Sequence, residues 1–398
     1  FTIGIPIVIA ELLIGKKGRA GSVGSMRVLV KEQSLSSFWV GIGYLNQFAA
    51  LLIQVTYAVI AGWVLLYFSR ALTEGFVQIV PSVAAAEYEA ITKNFFATLF
   101  WTISSIFFCG LILFFGLKNG IERAVGFMMP ILFFVMILLI TFNIFAGGFK
   151  EALIWLFEPD FSKITPEVCL AALSQAFFSI GVAMAVMMTY GSFLPQGSNV
   201  FSSAFIIVFA DTIVAILAGL VIFPVVFSSN LDPAAGPGLI FQVLPVAFSD
   251  MPGGYFFGVF FFLLLAVAAI TSMLGLLESL VRWLEIEFGF SRKRATACVI
   301  LLNTVLSSLS VGAYSGVVNW GSFYSSFNDR IDYLSNQVFL PLGGMLIAIF
   351  AGWFVNLKLI QEDYVVKNNR VFAIWKLFLR WPVPFAVFII FIKGVLQV

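Results

Sequence analysis

Three carboxylates lie inside apolar segments, where an ionised side chain is costly and usually functional. Asp211 lies in FIIVFADTIVAILAG, Glu278 in GLLESLV and Glu11 in VIAELLIG. Glu11 and Glu278 are near the predicted cytoplasmic ends of their segments, where hydration or a bond to another helix explains a carboxylate. Asp211 is deeper and has no cation near it in the sequence. It therefore requires a partner from another helix or a bound cation.

A second candidate cluster is the hydroxyl pair in LAVAAITSMLG. Thr271 and Ser272 follow Ala268 by three and four residues, which places all three on one helical face. A hydroxyl often donates to the carbonyl four residues earlier, so a bond from Ser272 to Ala268 explains the pair without a ligand. Two hydroxyls and a freed carbonyl would also offer a sodium ion three neutral oxygens. These residues alone leave both interpretations open.

The stretch 173–191, LSQAFFSIGVAMAVMMTYG, carries several polar groups through an apolar segment. Hydrocarbon offers these groups no water, so Ser179 and Tyr190 must bond within the protein or to a ligand. Gly181 and the small residues after it allow either close helix packing or an opened backbone. If the helix breaks here, its two half-helix ends present dipoles and free backbone groups at mid-membrane.

These residues must be positioned by membrane-spanning elements. The chain of 398 residues is 61% hydrophobic and 11% charged, against about 25% charged in soluble domains. Its apolar runs reach the roughly 20 residues of a spanning helix, which predicts an all-α integral membrane protein. There is no histidine, and Cys109, Cys169 and Cys298 lack metal-ligand spacing. Zinc and imidazole chemistry are therefore disfavoured, and the dispersed basic residues give no nucleic-acid-binding stripe.

Ten apolar segments can be marked in the sequence. They cover roughly 1–15, 37–69, 95–116, 121–145, 168–193, 199–228, 254–284, 295–312, 334–356 and 374–397. One alternating set of connections carries 16 of the 22 Lys and Arg residues, which predicts that this set is cytoplasmic.

The predicted external loops include residues 229–253, which contain GPGLIFQVLPVAF. This stretch is too short to span a bilayer and too apolar for an ordinary loop. It is predicted to be a lid-like segment over a vestibule, or alternatively an interfacial helix lying on lipid.

Seven motifs, in order along the chain, resemble segments of bacterial neurotransmitter:sodium symporters. They are GIPIVIAELLIGKKGR, TYAVIAGWVLLYF, LSQAFFSIGVAMAVMMTYGSF, FADTIVAILAGLVIFP, GPGLIFQVLPVAF, AITSMLGLLE and DRIDYLSNQVFLPLGGMLIA.

The resemblance implies one transmembrane transporter domain over residues 1–398, with two inverted five-helix repeats followed by further helices. This chain matches from the second helix through the eleventh. The sequence opens within an apolar run and without an initiator Met, so we expect it to be N-terminally incomplete. In the family, the first helix is unwound and supplies ligands to both sodium ions and to the substrate.

The resemblance also assigns roles position by position. Ser179 and Asp211 match the first sodium site, where an Asp implies that chloride is not required as a compensating anion. Ala268, Thr271 and Ser272 match the second sodium site. The matches to substrate-binding positions are Ile53, Tyr57, Phe178, Gly181, Met184, Met273 and Leu276.

Within that substrate set, Tyr57 matches the tyrosine that binds the substrate carboxylate, and Phe178 matches the lid over the substrate. Asp332 matches the acidic half of the external gate. The sequence departs from the family in GVAMA, where relatives commonly have two more glycines and alanine favours helix. At the cytoplasmic gate a Tyr and an Asp are replaced by Phe193 and Ile286, although the neighbouring Glu285 and Glu287 could substitute.

These observations predict a sodium-coupled symporter of apolar amino acids in the inner (plasma) membrane, working by alternating access and not as an enzyme. Its expected partners are sodium, an amino acid and membrane lipid. The alternatives are a transporter of the same fold with another solute or with proton coupling through Asp211, and a channel or receptor. A membrane enzyme is disfavoured because no nucleophile–base pair is evident.

Overall fold

The computed structural model describes residues 2–76, 79–229, 233, 238–317, 327–356 and 369–396. Within these residues every regular element is helical, which confirms the all-α prediction. The α-helices are α1 (Gly4–Gly18), α2 (Gly21–Glu32), α3 (Gly41–Thr73), α4 (Pro81–Lys93), α5 (Phe95–Phe114), α6 (Arg123–Ala146), α7 (Phe149–Phe157), α8 (Pro166–Ile180), α9 (Val186–Phe193), α10 (Val200–Ser228), α11 (Leu244–Asp250), α12 (Gly254–Phe288), α13 (Arg292–Ser315), α14 (Phe327–Asp332), α15 (Leu340–Ile349), α16 (Asn369–Arg380) and α17 (Pro382–Leu396).

Short turns of other helix types extend several of these elements. A 3₁₀ turn at Ser37–Val40 precedes α3, and another lies at Phe161–Lys163. The π-helical segments are Leu117–Glu122, Leu239–Val243, Tyr333–Phe339 and Phe350–Phe354.

Eight helical segments of the described chain are long and apolar enough to cross a membrane. They are Ser37–Thr73, Phe95–Phe114, Leu117–Phe145, Val200–Ser228, Gly254–Phe288, Arg292–Ser315, Phe327–Phe354 and Arg370–Leu396. Each coincides with a predicted apolar segment. The other two predicted segments form α1, which is 15 residues long, and the interrupted pair α8 and α9.

The helix over residues 168–193 is broken at its centre. α8 ends at Ile180, and α9 begins at Val186. Gly181, Ala183 and Ala185 all have positive φ angles, of 76°, 60° and 61°. A left-handed conformation costs an L-residue roughly 1–2 kcal/mol. The helix propensity of the two alanines therefore does not close the break, and surrounding contacts must hold it open.

Close packing of α1 against α9 fixes the position of the chain that follows this break. A Cβ atom at Gly15 would lie 2.0 Å from the Met188 carbonyl oxygen, and one at Gly191 would lie 2.7 Å from the Leu12 carbonyl oxygen. Only glycine permits such an approach of two backbones, as is common between membrane helices. α9 is thereby held against α1 after the chain leaves the break.

A second irregularity occurs in α10, where Pro224 lies inside the helix. Proline removes a backbone donor and leaves the carbonyl four residues earlier without its usual bond. The Asn143 side chain of α6 donates to that carbonyl, Leu220, at 3.0 Å, and to Val221 at 2.9 Å. The amide of one helix therefore satisfies the backbone that proline exposes in the other.

The predicted lid, residues 229–253, is described only in part, because residues 230–232 and 234–237 lie outside the described chain. From Leu239 to Asp250 the segment is helical. Phe241, Leu244 and Phe248 are buried in an aromatic cluster with α3 and α12. This packing is what a capping segment requires, whereas an interfacial helix would present these side chains to lipid; the lid function stays a prediction.

Candidate ion and substrate site

The two residues of the first predicted sodium site lie together beside the helix break. Ser179 lies in the last turn of α8, and Asp211 lies in the middle of α10. The Ser179 hydroxyl donates to the Asp211 Oδ1 atom at 2.8 Å. No Lys or Arg within the described ranges forms an ion pair with Asp211. A carboxylate and a hydroxyl thus adjoin with no protein cation to neutralise them.

The second predicted ion cluster lies on α12, which continues through it without interruption. The Thr271 hydroxyl donates to the carbonyl oxygens of Val267 and Ala268, both at 3.0 Å. The back-bond to Ala268 is thus made by Thr271, and the sequence expectation that Ser272 makes it is corrected. Ser272 is exposed.

The remaining substrate-site predictions lie on α3, α12 and the broken segment. Ile53, Met184 and Leu276 belong to one buried apolar cluster. Met273 is fully buried in an adjoining cluster against which Tyr57 packs. Phe178, in the last turn of α8, is 39% exposed. The structure therefore gathers side chains from α3, α12 and the broken segment, although they are far apart in sequence.

Glu11 of α1 holds the broken segment from the opposite side. Its Oε1 atom accepts a hydrogen bond from the Ala183 backbone N–H at 3.1 Å. The side chain is fully buried, and its Oε2 atom has no hydrogen-bond partner among the described residues. The bond between helices expected for this carboxylate is present, but its target is the break itself. No pattern in the sequence indicates that connection, because 172 residues separate the two groups.

The predicted external gate residue, Asp332, ends α14 and is exposed. It accepts a hydrogen bond from the Asn336 side chain at 2.6 Å. No Arg or Lys among the described residues pairs with it.

At the far end of α12, Glu278 lies 1% exposed and pairs with Arg292 of α13. The Arg292 Nη1 atom donates to Glu278 Oε1 at 2.9 Å, and its Nε atom donates to the Leu113 carbonyl of α5 at 2.9 Å. The pair therefore ties three helices together. This arrangement agrees with the interpretation of Glu278 from the sequence as a carboxylate bonded to another helix.

The two glutamates that flank Ile286 are also paired. Glu287 accepts from Arg27 of α2 at 2.8 Å and from the Tyr44 hydroxyl of α3 at 3.1 Å. The hydrogen bond to Glu287 raises the pKa of Arg27 above its ordinary value. Glu285 accepts from Arg282 at 3.3 Å. Acidic side chains thus lie on both sides of Ile286, which has none of its own. Their role as a cytoplasmic gate stays a prediction.

The other departure from the gate pattern, Phe193, is covered by a cation. The Arg282 guanidinium lies 5.5 Å from the centre of the Phe193 ring, within the distance at which a cation and a ring attract. The guanidinium thus links α12 to α9 without a phenolic hydroxyl.

A helical membrane protein with one helix broken at mid-span, and with a carboxylate and a hydroxyl brought together beside the break, has the architecture of a secondary transporter. Comparison with known proteins agrees. Residues 90–398 match the model of the Sodium:neurotransmitter symporter family, and the chain belongs to this family.

Two bacterial relatives are similar over almost the whole chain. A protein of Haemophilus influenzae named "Uncharacterized sodium-dependent transporter" is 31% identical, covering 98% of this chain and 87% of the relative. The Bacillus subtilis protein YhdH, which carries the same description, is 32% identical over 99% of this chain and 87% of the relative.

Among solved structures, the crystal structure of MhsT in complex with L-phenylalanine is similar to this chain. Its TM-score is 0.88 at 35% sequence identity, and the match covers 99% of this chain and 89% of MhsT. The chain is therefore a multi-pass membrane protein of a sodium-dependent transporter family, as its sequence motifs indicated.

Proposed function

We propose that the protein is a sodium-coupled symporter of apolar α-amino acids in the inner (plasma) membrane. The observation that carries this proposal is the hydrogen bond from the Ser179 hydroxyl to Asp211 Oδ1, at 2.8 Å, beside the broken helix. Both residues are predicted sodium ligands, and Phe178, the predicted lid over the substrate, precedes Ser179 in the last turn of α8. A substrate under this lid and an ion at this pair would be close neighbours, and each would favour binding of the other.

Two ion sites are supported by the chemistry of their oxygens. Asp211 and Ser179 offer a carboxylate and a hydroxyl to one sodium ion. Thr271, Ser272 and the Ala268 carbonyl offer neutral oxygens to the other. Ionic charge in an interior of low dielectric requires compensation, and Asp211 supplies a fixed negative charge that makes chloride unnecessary.

The substrate proposal follows from the lining. Tyr57 would hold the carboxylate, while the backbone carbonyl groups at the break would offer acceptors to the amino group. The side-chain region, formed by Ile53, Met184, Met273 and Leu276, has no charged or amide side chain. Leaving a buried polar group unpaired costs about 1–3 kcal/mol, so apolar amino acids are favoured. MhsT, in its complex with L-phenylalanine, provides a precedent for such a substrate.

The broken helix provides the means of coupling. The C-terminal end of α8 and the N-terminal end of α9 both face residues 181–185, and their dipoles attract opposite charges. Ion and substrate binding would stabilise one arrangement of these ends over another. Differential binding of this kind biases a conformational equilibrium. Phe178 would close over the substrate, and Asp332 would form part of the external gate.

Reconstituted protein in proteoliposomes tests the proposal by competition against labelled leucine under an inward sodium gradient. We expect strong displacement by methionine and phenylalanine, little by glutamate, lysine or glutamine, and loss of uptake when choline replaces sodium. Displacement by glutamate or a biogenic amine, with little by methionine, would overturn the substrate assignment. Uptake that persists in choline and follows a proton gradient would instead favour proton coupling through Asp211.

A further inference from the structure

A second feature of the molecule lies away from the transport site, on the surface between two membrane helices. A groove of about 560 Å³ runs between the Phe327–Phe354 segment and the junction of α16 with α17. Its walls are apolar and include Met345, Ile349 and Phe388. The groove lies at the end of these helices that the Lys and Arg distribution predicts to be cytoplasmic.

Among the described residues, one charged residue, Arg380, lines this groove. Its Nε atom donates to the Gly352 carbonyl at 2.8 Å, and its guanidinium lies 5.3 Å from the centre of the Trp353 ring. Trp353 Nε1 in turn donates to the Arg380 carbonyl at 3.3 Å. These contacts hold the guanidinium plane in place. No carboxylate in the described parts of the chain forms an ion pair with it.

Two tryptophans flank the guanidinium. Trp353 and Trp381 pack edge to face with ring centres 5.1 Å apart, and they are 47% and 61% exposed. Tryptophan is enriched where membrane helices meet the headgroup region, because its ring is apolar and its N–H is polar. The pair therefore marks this end of the groove as the level of lipid headgroups.

From Arg380 the groove continues along α17 to Phe388. Eight residues of helix correspond to about 12 Å, a depth that only an elongated apolar molecule would fill. Phe385 and Phe388 are 69% and 48% exposed beside it. A cation at the headgroup level and an apolar channel leading into the membrane are together the two halves of a lipid-binding site.

We propose that this groove binds a phospholipid with an anionic headgroup. The Arg380 guanidinium contacts the phosphate, and one acyl chain lies between Ile349 and Phe388. Arginine suits a phosphate because its planar donors can bind two oxygens at once. Basic pockets between membrane helices on the cytoplasmic side are a known mode of recognising such lipids. The site would fix the Phe327–Phe354 segment, which carries Asp332, against the following helix.

Native mass spectrometry of the detergent-purified protein tests this proposal, with phosphatidylglycerol and phosphatidylcholine of identical acyl chains as the two probes. We expect one phosphatidylglycerol to be retained at least about tenfold more strongly than phosphatidylcholine, because the choline cation offsets the phosphate charge of phosphatidylcholine, whereas phosphatidylglycerol keeps a net negative charge for Arg380. Arg380→Gln should abolish this preference. Arg294→Gln is the matched control, since Arg294 is also exposed at this end and lies 4.2 Å from an aromatic ring, that of Phe290.

A second variant tests the apolar half independently of Arg380. Ile349→Phe fills the groove and should weaken retention of both lipids while leaving the remaining preference intact. Equal retention of the two lipids by the wild-type protein would overturn the proposal. So would an equal loss of preference in Arg380→Gln and Arg294→Gln. If Arg380→Gln does not fold, undiminished lipid retention by Ile349→Phe would overturn the proposal by itself.

Discussion

The centre of the membrane and the predicted cytoplasmic end of α12 use carboxylates in opposite ways. At the cytoplasmic end, Glu278, Glu285 and Glu287 each meet an arginine of the protein. At the centre, Asp211 meets only the Ser179 hydroxyl among the described residues. A carboxylate that carries its own arginine is electrically complete and suits a fixed contact. One that has only neutral partners lacks a protein cation to balance it, as the proposed sodium site requires.

The regularity of the backbone also differs between these two regions. α12 runs continuously from Gly254 to Phe288 and carries all three glutamates on regular helix. The segment beside Asp211 breaks between Ile180 and Val186 and contains positive φ angles. Regular structure thus carries the paired charges, and irregular structure adjoins the unpaired one. Irregular backbone at membrane depth is tolerated where it lines a cavity or is buried in protein.

The largest expected effect comes from breaking the complete pair. Arg292→Met leaves Glu278 buried without its partner, which costs about 3–5 kcal/mol. We expect a large fall in the midpoint of thermal unfolding in detergent. Arg294→Met is the control and should change little, because Arg294 is exposed. Adding Glu278→Gln to Arg292→Met should recover part of the loss. Equal unfolding midpoints for Arg292→Met and Arg294→Met would contradict a structural role of the pair.

The next effect concerns the incomplete carboxylate. Asp211→Asn removes an interaction worth about 4 kcal/mol for unit charges 4 Å apart at an effective dielectric constant of 20. In chloride-free medium, sodium-driven uptake should fall by about a hundredfold or more, while unfolding changes little. Added chloride should restore uptake in the variant. Asp250→Asn, which alters an exposed carboxylate, is the control. Equal chloride-free uptake by the wild type and Asp211→Asn would remove Asp211 from this role.

Much of this contrast could be predicted from sequence, and the reason is local. Apolar runs located the spans, and the motif around Asp211 and Ser179 located two groups that the fold then joined. The hydroxyl pair on α12 was placed on one face by helical spacing alone. Such features depend on residues close in the chain or on a resemblance that covers all of it.

What the sequence did not reveal depends on contacts across long separations. Glu11 bonding to Ala183, and Arg27 bonding to Glu287, join groups 172 and 260 residues apart. The break in the helix was also uncertain, because the propensity of Ala183 for helix opposes it. Tertiary contacts outweigh a propensity of less than about 1 kcal/mol, and single-residue preferences cannot report them.

A smaller effect is expected when either hydroxyl of the pair on α12 is removed. Each of Thr271→Ala and Ser272→Ala removes one proposed sodium ligand, and a neutral hydrogen-bonding group is worth about 1 kcal/mol. We expect the sodium concentration for half-maximal uptake to rise roughly five- to tenfold in each variant. Ser308→Ala, which removes a hydroxyl that donates to its own helix at 2.7 Å, is the control. Unchanged sodium dependence in both α12 variants would leave only the helix-bonding interpretation.

The smallest expected effect tests whether the break itself distinguishes the two regions. Gly181 has a φ of 76°, and the nearest atom to an added Cβ, Met187 Cε, is 4.0 Å away. Gly181→Ala therefore meets no steric clash, and its cost is the left-handed conformation alone, about 1 kcal/mol. We expect a slightly lower unfolding midpoint and a weaker response of stability to added sodium and leucine, because alanine favours joining α8 to α9. Gly197→Ala, at an exposed glycine with open space around it, should lower neither quantity. If Gly181→Ala and Gly197→Ala give the same result in both measurements, the left-handed conformation of residue 181 is not what keeps α8 and α9 apart.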